Sequence, residues 1–192
     1  YYEKALDIFL RFYGDIHPEI ASVYNNLAHY HNVVTNDFHK AKEYYAKSLE
    51  MHRLLYGEIH SATANGLNNL ASAYSDLAEY ETSLKLYRQA LDIWKEIYGE
   101  THISVGDVYN NLATVYFKLG KYDQADIYQK KAMEIFRNVY GEMHSAVGLA
   151  YENMGSIGVE LGQDQDALNY YDRAISIYKT IYGDIHSKTA NV

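Results

Sequence analysis

Cysteine is absent from the 192-residue chain, so disulfides, zinc–thiolate centres and a cysteine nucleophile are excluded. Proline occurs once, at Pro18. No apolar run approaches the ~18 residues of a membrane span, and no leader-like segment opens the chain. Asn-x-Ser/Thr glycosylation acceptors are missing. Positive charge is scarce: 17 Lys+Arg stand against 25 Asp+Glu, a formal net charge of −8, with no basic run. Such a surface suits neither nucleic acid nor an anionic membrane. The expectation is a soluble, cytoplasmic protein that binds neither.

Enzyme signatures are also lacking. The chain has no GxGxxG, no GxxxxGK[ST], no HExxH and no GxSxG. Gly155-Ser156-Ile157-Gly158 has the wrong spacing for a nucleophile elbow and lies within a helical pattern, with no His or Asp partner foreseen for Ser156. No catalytic residue, cofactor or metal site is expected.

What the sequence does contain is a repeat. Tyr-Gly-acid-x-His occurs five times, ending at His17, His60, His102, His144 and His186, with spacings of 43, 42, 42 and 42 residues. A second marker keeps step: Asn25-Asn26-Leu27-Ala28, Asn68-Asn69-Leu70-Ala71, Asn110-Asn111-Leu112-Ala113, then Glu152-Asn153-Met154-Gly155. Two markers sharing one period define a repeat array. The longer first repeat carries its extra residue between His31 and Phe38.

A period near 42 fits several architectures, so the pattern within a unit must decide. In the second repeat Leu67, Leu70, Ala71, Tyr74 and Leu77 recur at helical spacing. After a break at Ala78-Glu79, Tyr80, Leu84, Tyr87, Leu91, Trp94 and Tyr98 do the same, and Gly99 ends the run. Strand alternation is nowhere sustained. Each unit is read as a helix of about 16 residues, a tight turn and a helix of about 18. Small residues fall at fixed places: Ala71, Ala113 and Gly155 in first helices; Ala41, Ser83, Ala125 and Ala167, then Ser48, Ala90, Ala132 and Ala174, in second helices. They let the paired backbones approach closely. Most of the 22 tyrosines recur at repeat slots as core residues. Gly148, Gly155 and Gly158 should make the fourth first helix the softest internal one.

These positions resemble the tetratricopeptide repeat (TPR). The third repeat carries Tyr109, Leu112, Ala113, Tyr116, Gly120, Tyr122, Ala125 and Ala132, and departs at Gln129, where an aromatic is usual. The lengthened second helix and the Asn-Asn-Leu-Ala marker are similar to kinesin-light-chain-type repeats. The resemblance implies an all-α, right-handed superhelical solenoid of antiparallel helix pairs. One array would fill 1–192: the second helix of a partial repeat at 1–17, repeats at 18–60, 61–102, 103–144 and 145–186, and the start of another at 187–192. Read so, the chain is a slice of a longer solenoid whose ends expose apolar faces that invite self-association.

The repeated histidines are expected to cap the following first helix, since equivalent residues roughly one helix diameter apart cannot share a zinc ion. His31 takes a tyrosine slot as a packing residue, and His29 faces the groove. The asparagines allow two readings. Their amides either offer donors and acceptors to an extended peptide, as equivalent asparagines do in TPR proteins, or bond neighbouring repeats to one another. The first reading makes the candidate partner-binding wall Asn25, Asn26 and His29; Asn65, Asn68, Asn69 and Ser72; Asp107, Asn110, Asn111, Thr114 and Lys118; and Glu152 and Asn153, with Ser22, Asp76, Leu149 and Ser156 beside them. The expected function is a non-catalytic protein–protein interaction scaffold holding a partner's peptide segment in the concave groove. The alternative is a sensor or regulatory array of a larger signalling protein, such as one carrying an NTPase. Chaperone-type TPR grooves place a basic residue three positions before the first Asn. Here that slot holds Ser22, Asn65, Asp107 and Leu149, which implies an internal neutral or basic segment as ligand.

Overall fold

The computed structural model describes residues 2–183, without the side chains at 2, 3 and 5. Among these residues are nine α-helices and no strand. The all-α class foreseen from the helical periodicity is what is found. The expected helix start at 187–192, with the fifth histidine, lies outside the described residues.

The chain divides into two compact units at Ile97/Tyr98. The first holds α1 (Tyr2–Tyr13), α2 (Pro18–Val33), α3 (Phe38–Tyr56), α4 (Ser61–Asp76) and all but the last residue of α5 (Tyr80–Tyr98). Within it α1 packs on α2, α2 on α3 and α3 on α4. The second holds α6 (Ile103–Lys118), α7 (Tyr122–Tyr140), α8 (Ser145–Glu160) and α9 (Asp164–Tyr182), each packed on the next. First helices have 16 residues and second helices 19.

Local chemistry sets these lengths. Every first helix begins after a histidine whose Nδ1 accepts the backbone N–H two residues on: His17 from Glu19 at 3.3 Å, His60 from Ala62 at 3.1 Å, His102 from Ser104 and His144 from Ala146 at 3.2 Å. This is an N-cap made by imidazole, satisfying a donor the helix cannot pair internally. The same rings stack on the tyrosine four residues earlier, at centroid distances of 3.9, 4.5, 4.2 and 4.0 Å. The glycine between them holds φ near +80° and ψ near 180° at Gly57, Gly141 and Gly183, a region open essentially to glycine alone. The Tyr-Gly-acid-x-His marker is therefore one connector: ring, left-handed exit and cap.

The turn inside each hairpin has four residues at 34–37 and three at 77–79, 119–121 and 161–163. A left-handed residue closes each one: Asn36, Ala78, Gly120 and Gly162. In the hairpin seam the small residues are buried. The two serines among them return their hydroxyls to the opposing backbone, Ser48 to Ala21 O at 2.9 Å and Ser83 to Ala71 O at 2.7 Å. A polar atom in the seam thus costs little, because it is bonded.

The candidate partner-binding face of the first helices

Helical spacing turns Leu27 and Ala28, Leu70 and Ala71, Leu112 and Ala113, and Met154 and Gly155 into the core. The neighbouring polar pair must then lie on the other side of the helix. Asn25, Asn68, Asn69, Asn110, Asn111, Glu152 and Asn153 are half-buried there, and Asn26 is exposed. The slot three residues earlier is open to solvent at Ser22, Asn65, Asp107 and Leu149. His29, Thr114 and Lys118 are also exposed, while Ser72 is half-buried.

The asparagines bond one another between repeats. In the first unit Asn69 Nδ2 donates to Asn25 Oδ1 at 2.9 Å, and Asn68 Nδ2 to Asn69 Oδ1 at 3.4 Å. In the second, Asn153 Nδ2 donates to Asn110 Oδ1 at 3.1 Å, and the buried Gln129 Nε2 donates to the same oxygen at 3.3 Å. The second Asn of one repeat thus reaches back to the first Asn of the repeat before it. Of the two readings open in the sequence, the inter-repeat one describes these four amides. Glu152, in the Asn25 slot, instead accepts from Tyr178 Oη at 3.1 Å. Burial of the Tyr178 phenol, followed by the charge of Glu152 beside it, pushes its pKa well above the ordinary range. Among the described residues the Asn26 and Asn65 side chains bond to nothing.

Part of the expected wall converges on a recess in the first unit. Asn25, Asn26, Asn65 and Asn69 line a space of about 530 Å³, together with Ser22 and His52. His29, Asn68 and Ser72 lie outside it. The sequence pattern did not single out His52 as part of this site. A signal exists, because His52 on α3 holds the slot of Trp94, Phe136 and Tyr178, which are all buried core rings. Its Nδ1 is buried without a hydrogen-bond partner. Burial lowers its pKa, the nearby His60 adds to that, and a backbone bond to Ala62 opposes it.

In the second unit Thr114, Ser156 and Asn153 line a separate recess of about 140 Å³ with Gln129. Asp107, Asn110, Asn111, Lys118 and Glu152 do not line it. Desolvation raises the Asp107 carboxyl above its ordinary value, with the nearby His102 opposing part of that rise. Among the described residues no three His, Asp or Glu side chains converge as metal ligands would.

The family model described as tetratricopeptide repeat matches four overlapping stretches of the chain, 1–53, 34–96, 62–128 and 104–180. Among solved structures, BtubC (BKLC) from P. vanneervenii is 28% identical, with a TM-score of 0.77 over 87% of this chain and 66% of that one. A Podosopora anserina protein described by kinesin-light-chain, nearly identical TPR-like repeats is 16% identical, with a TM-score of 0.74 over 94% and 85%. The apo form of RapI is 19% identical, with a TM-score of 0.77 over 92% and 63%. The last two share the fold. This chain spans less than two thirds of the BtubC and RapI chains. No curated protein matches the sequence.

Proposed function

The chain belongs to the tetratricopeptide repeat family, and on that premise we propose that it is a non-catalytic scaffold holding a segment of a protein partner against its first helices. The observation that carries this reading is the recess of about 530 Å³ in the first unit, where the Asn26 and Asn65 amides stand beside an amide pair already bonded to itself. An extended segment carries backbone donors and acceptors on both edges, and an unpaired carboxamide can serve either kind. The bonded pair, Asn25 with Asn69, fixes the spacing of the helices that present the free ones. A rigid wall lowers the cost of ordering a flexible ligand. The partner is a protein rather than nucleic acid, since the chain's formal charge is −8. Among the described residues no helix is long and apolar enough to cross a membrane.

The test uses the whole chain as bait in a pull-down, beside a variant with Asn26→Ala and Asn65→Ala. Two lost hydrogen bonds at about 0.5–1.5 kcal/mol each correspond to capture weaker by about tenfold. The melting temperature should not fall, because among the described residues neither amide makes a hydrogen bond and alanine is the better helix former. Undiminished capture by the double variant would remove the reading and direct the search to the second helices.

A further inference from the structure

One slot on the second helices is filled by tyrosine three times and by glutamine once: Tyr45 on α3, Tyr87 on α5, Gln129 on α7 and Tyr171 on α9. The tyrosines at 87 and 171 show what the slot is for. The Tyr87 hydroxyl is hydrogen-bonded with Ser72 on α4. The Tyr171 hydroxyl donates to Ser156 Oγ on α8 at 3.2 Å, and its ring lies so close over Gly155 that a Cβ there would sit 2.6 Å from Cε1. In these two hairpins a phenol crosses from second helix to first and ends on a hydroxyl, whereas on α2 the corresponding slot is His29.

The equivalent of Ser72 and Ser156 on α6 is Thr114. It is prepared as Ser156 is: Thr114 Oγ1 donates to Asn110 O at 3.0 Å, and Ser156 Oγ donates to Glu152 O at 3.2 Å. Each hydroxyl spends its proton on its own helix and turns lone pairs outward as acceptors. Ser156 has its phenol. Thr114 has none, because Gln129 bends aside to donate to Asn110. The place where a ring would lie is a recess of about 140 Å³, with Ala113, Phe117 and Ile157 as apolar lining and Thr114, Gln129 and Ser156 as polar lining. An apolar cavity of about 150 Å³ is enough to take up benzene.

We infer that this recess seats a phenol, namely the uncharged tyrosine side chain of the bound partner segment, which supplies the ring that this repeat omits. The inference rests on the partner-binding reading above and gives it a side-chain specificity. A purely aliphatic guest would leave the Thr114 acceptor buried and unpaired. A phosphotyrosine is disfavoured, because neither lysine nor arginine lines the recess.

The experiment titrates the whole chain with p-cresol, and in parallel with toluene, following backbone amides by NMR. The expected result is saturable shifts at Ala113, Thr114, Gln129 and Ser156 with a dissociation constant of about a millimolar, the range of a fragment-sized ligand. Toluene should bind at least about fivefold more weakly, the loss of one hydrogen bond. Gln129→Tyr fills the recess from within. It should abolish the shifts without lowering the melting temperature, since the slot already accepts tyrosine in three repeats. Thr114→Val keeps the shape, removes the acceptor and should bring p-cresol to the toluene affinity. Gln129→Tyr should also weaken capture of the partner by about tenfold.

Absence of saturable shifts at these amides, or equal binding of toluene, would overturn the inference. If p-cresol binds as expected but Gln129→Tyr captures the partner undiminished, the partner does not use the recess. The inference then falls while the partner-binding reading stands. If instead the Asn26/Asn65 variant captures normally while Gln129→Tyr does not, the amide reading of the first unit fails and the phenol seat is supported.

Discussion

Ala78 is in the left-handed region at φ +58°, where the third and fourth repeats have Gly120 and Gly162 and the first has Asn36. A Cβ in that conformation costs about 1–2 kcal/mol. Glycine removes the clash but adds about 0.5–1 kcal/mol of unfolded-chain entropy. Ala78→Gly should therefore stabilise the protein by about 0.5–1 kcal/mol, read as a higher urea midpoint at constant slope. A lower midpoint would mean that the alanine methyl packs favourably enough to outweigh the strain. His52 allows a second residue-scale prediction. Its folded pKa lies below the unfolded value because its buried ring is poorly solvated and faces His60. Above about pH 6.5 the ring is neutral in both states. As the pH falls below that, the unfolded chain binds the proton first, so stability is lost on acidification. His52→Phe, which copies Phe136, should shrink the difference in urea midpoint between pH 7.5 and pH 5.5. An identical difference in the variant would show that other groups set the acid sensitivity. The histidine caps were readable in the sequence because the cap, its glycine and its tyrosine recur as one string. The asparagine bonds were not, since a repeat of Asn-Asn is equally consistent with amides aimed at a ligand or at each other. The 2.9 Å between Asn69 and Asn25 and the 3.1 Å between Asn153 and Asn110 separate the two readings.

Helices were the most legible level, because apolar spacing within each unit and a glycine after each second helix fix where they start and stop. The role of the α8 glycines was less so. Gly148, Gly155 and Gly158 look like three weak points in a helix, and by propensity alone each replacement with alanine should gain about 0.5–1 kcal/mol. In the fold Gly148 lies under the Tyr178 ring, where a Cβ would be 2.7 Å from Cε1, and Gly155 lies under Tyr171. These are approach sites for aromatic rings, and both rings also hydrogen-bond α8, through Glu152 and Ser156. Gly155→Ala must displace Tyr171 and break its bond to Ser156. Overpacking of this kind costs about 1–3 kcal/mol, which exceeds the propensity gain. The expected net loss is about 1–2 kcal/mol in urea unfolding, and a gain would mean that the ring moves aside freely. The sequence shows that Gly155 sits in the small-residue slot of Ala71 and Ala113. It does not show which ring covers it. Likewise the glutamine at 129 is a visible departure from the pattern, whereas the recess it leaves depends on where the side chain turns.

At the scale of the whole molecule, charge decides what can dock. Many of the few cations already face carboxylates: Arg11 with Asp7, Lys42 with Glu79, Lys47 with Glu43, Arg53 with Glu58, Lys130 with Asp126 and Arg137 with Glu142. Exposed pairs of this kind contribute little stability, but they cancel charge locally and leave the excess of −8 to set the long-range field. On the first-helix face the side chains are mostly amides, hydroxyls and the acids Asp76, Asp107 and Glu152, with His29 and Leu149 beside them and Lys118 as the lysine of the expected wall. An acidic ligand would meet repulsion from the net charge and little specific compensation. A neutral segment would bind through hydrogen bonds and shape alone. Peptides tiled across the captured partner, each made with lysine or with glutamate flanks, separate these cases. The lysine form should bind tightest at 50 mM salt and weaken a few-fold at 200 mM, as the screening length falls below about 8 Å. The neutral parent should change by less than about twofold over that range, because its contacts lie within hydrogen-bond distance and are hardly screened. The glutamate form should be weakest at low salt and improve slightly as salt is added. If the acidic form, or a free C-terminal carboxylate, binds best, the amide face is not the docking surface, and binding belongs to the second helices, where Lys130, Arg137 and Arg173 line a recess of about 590 Å³.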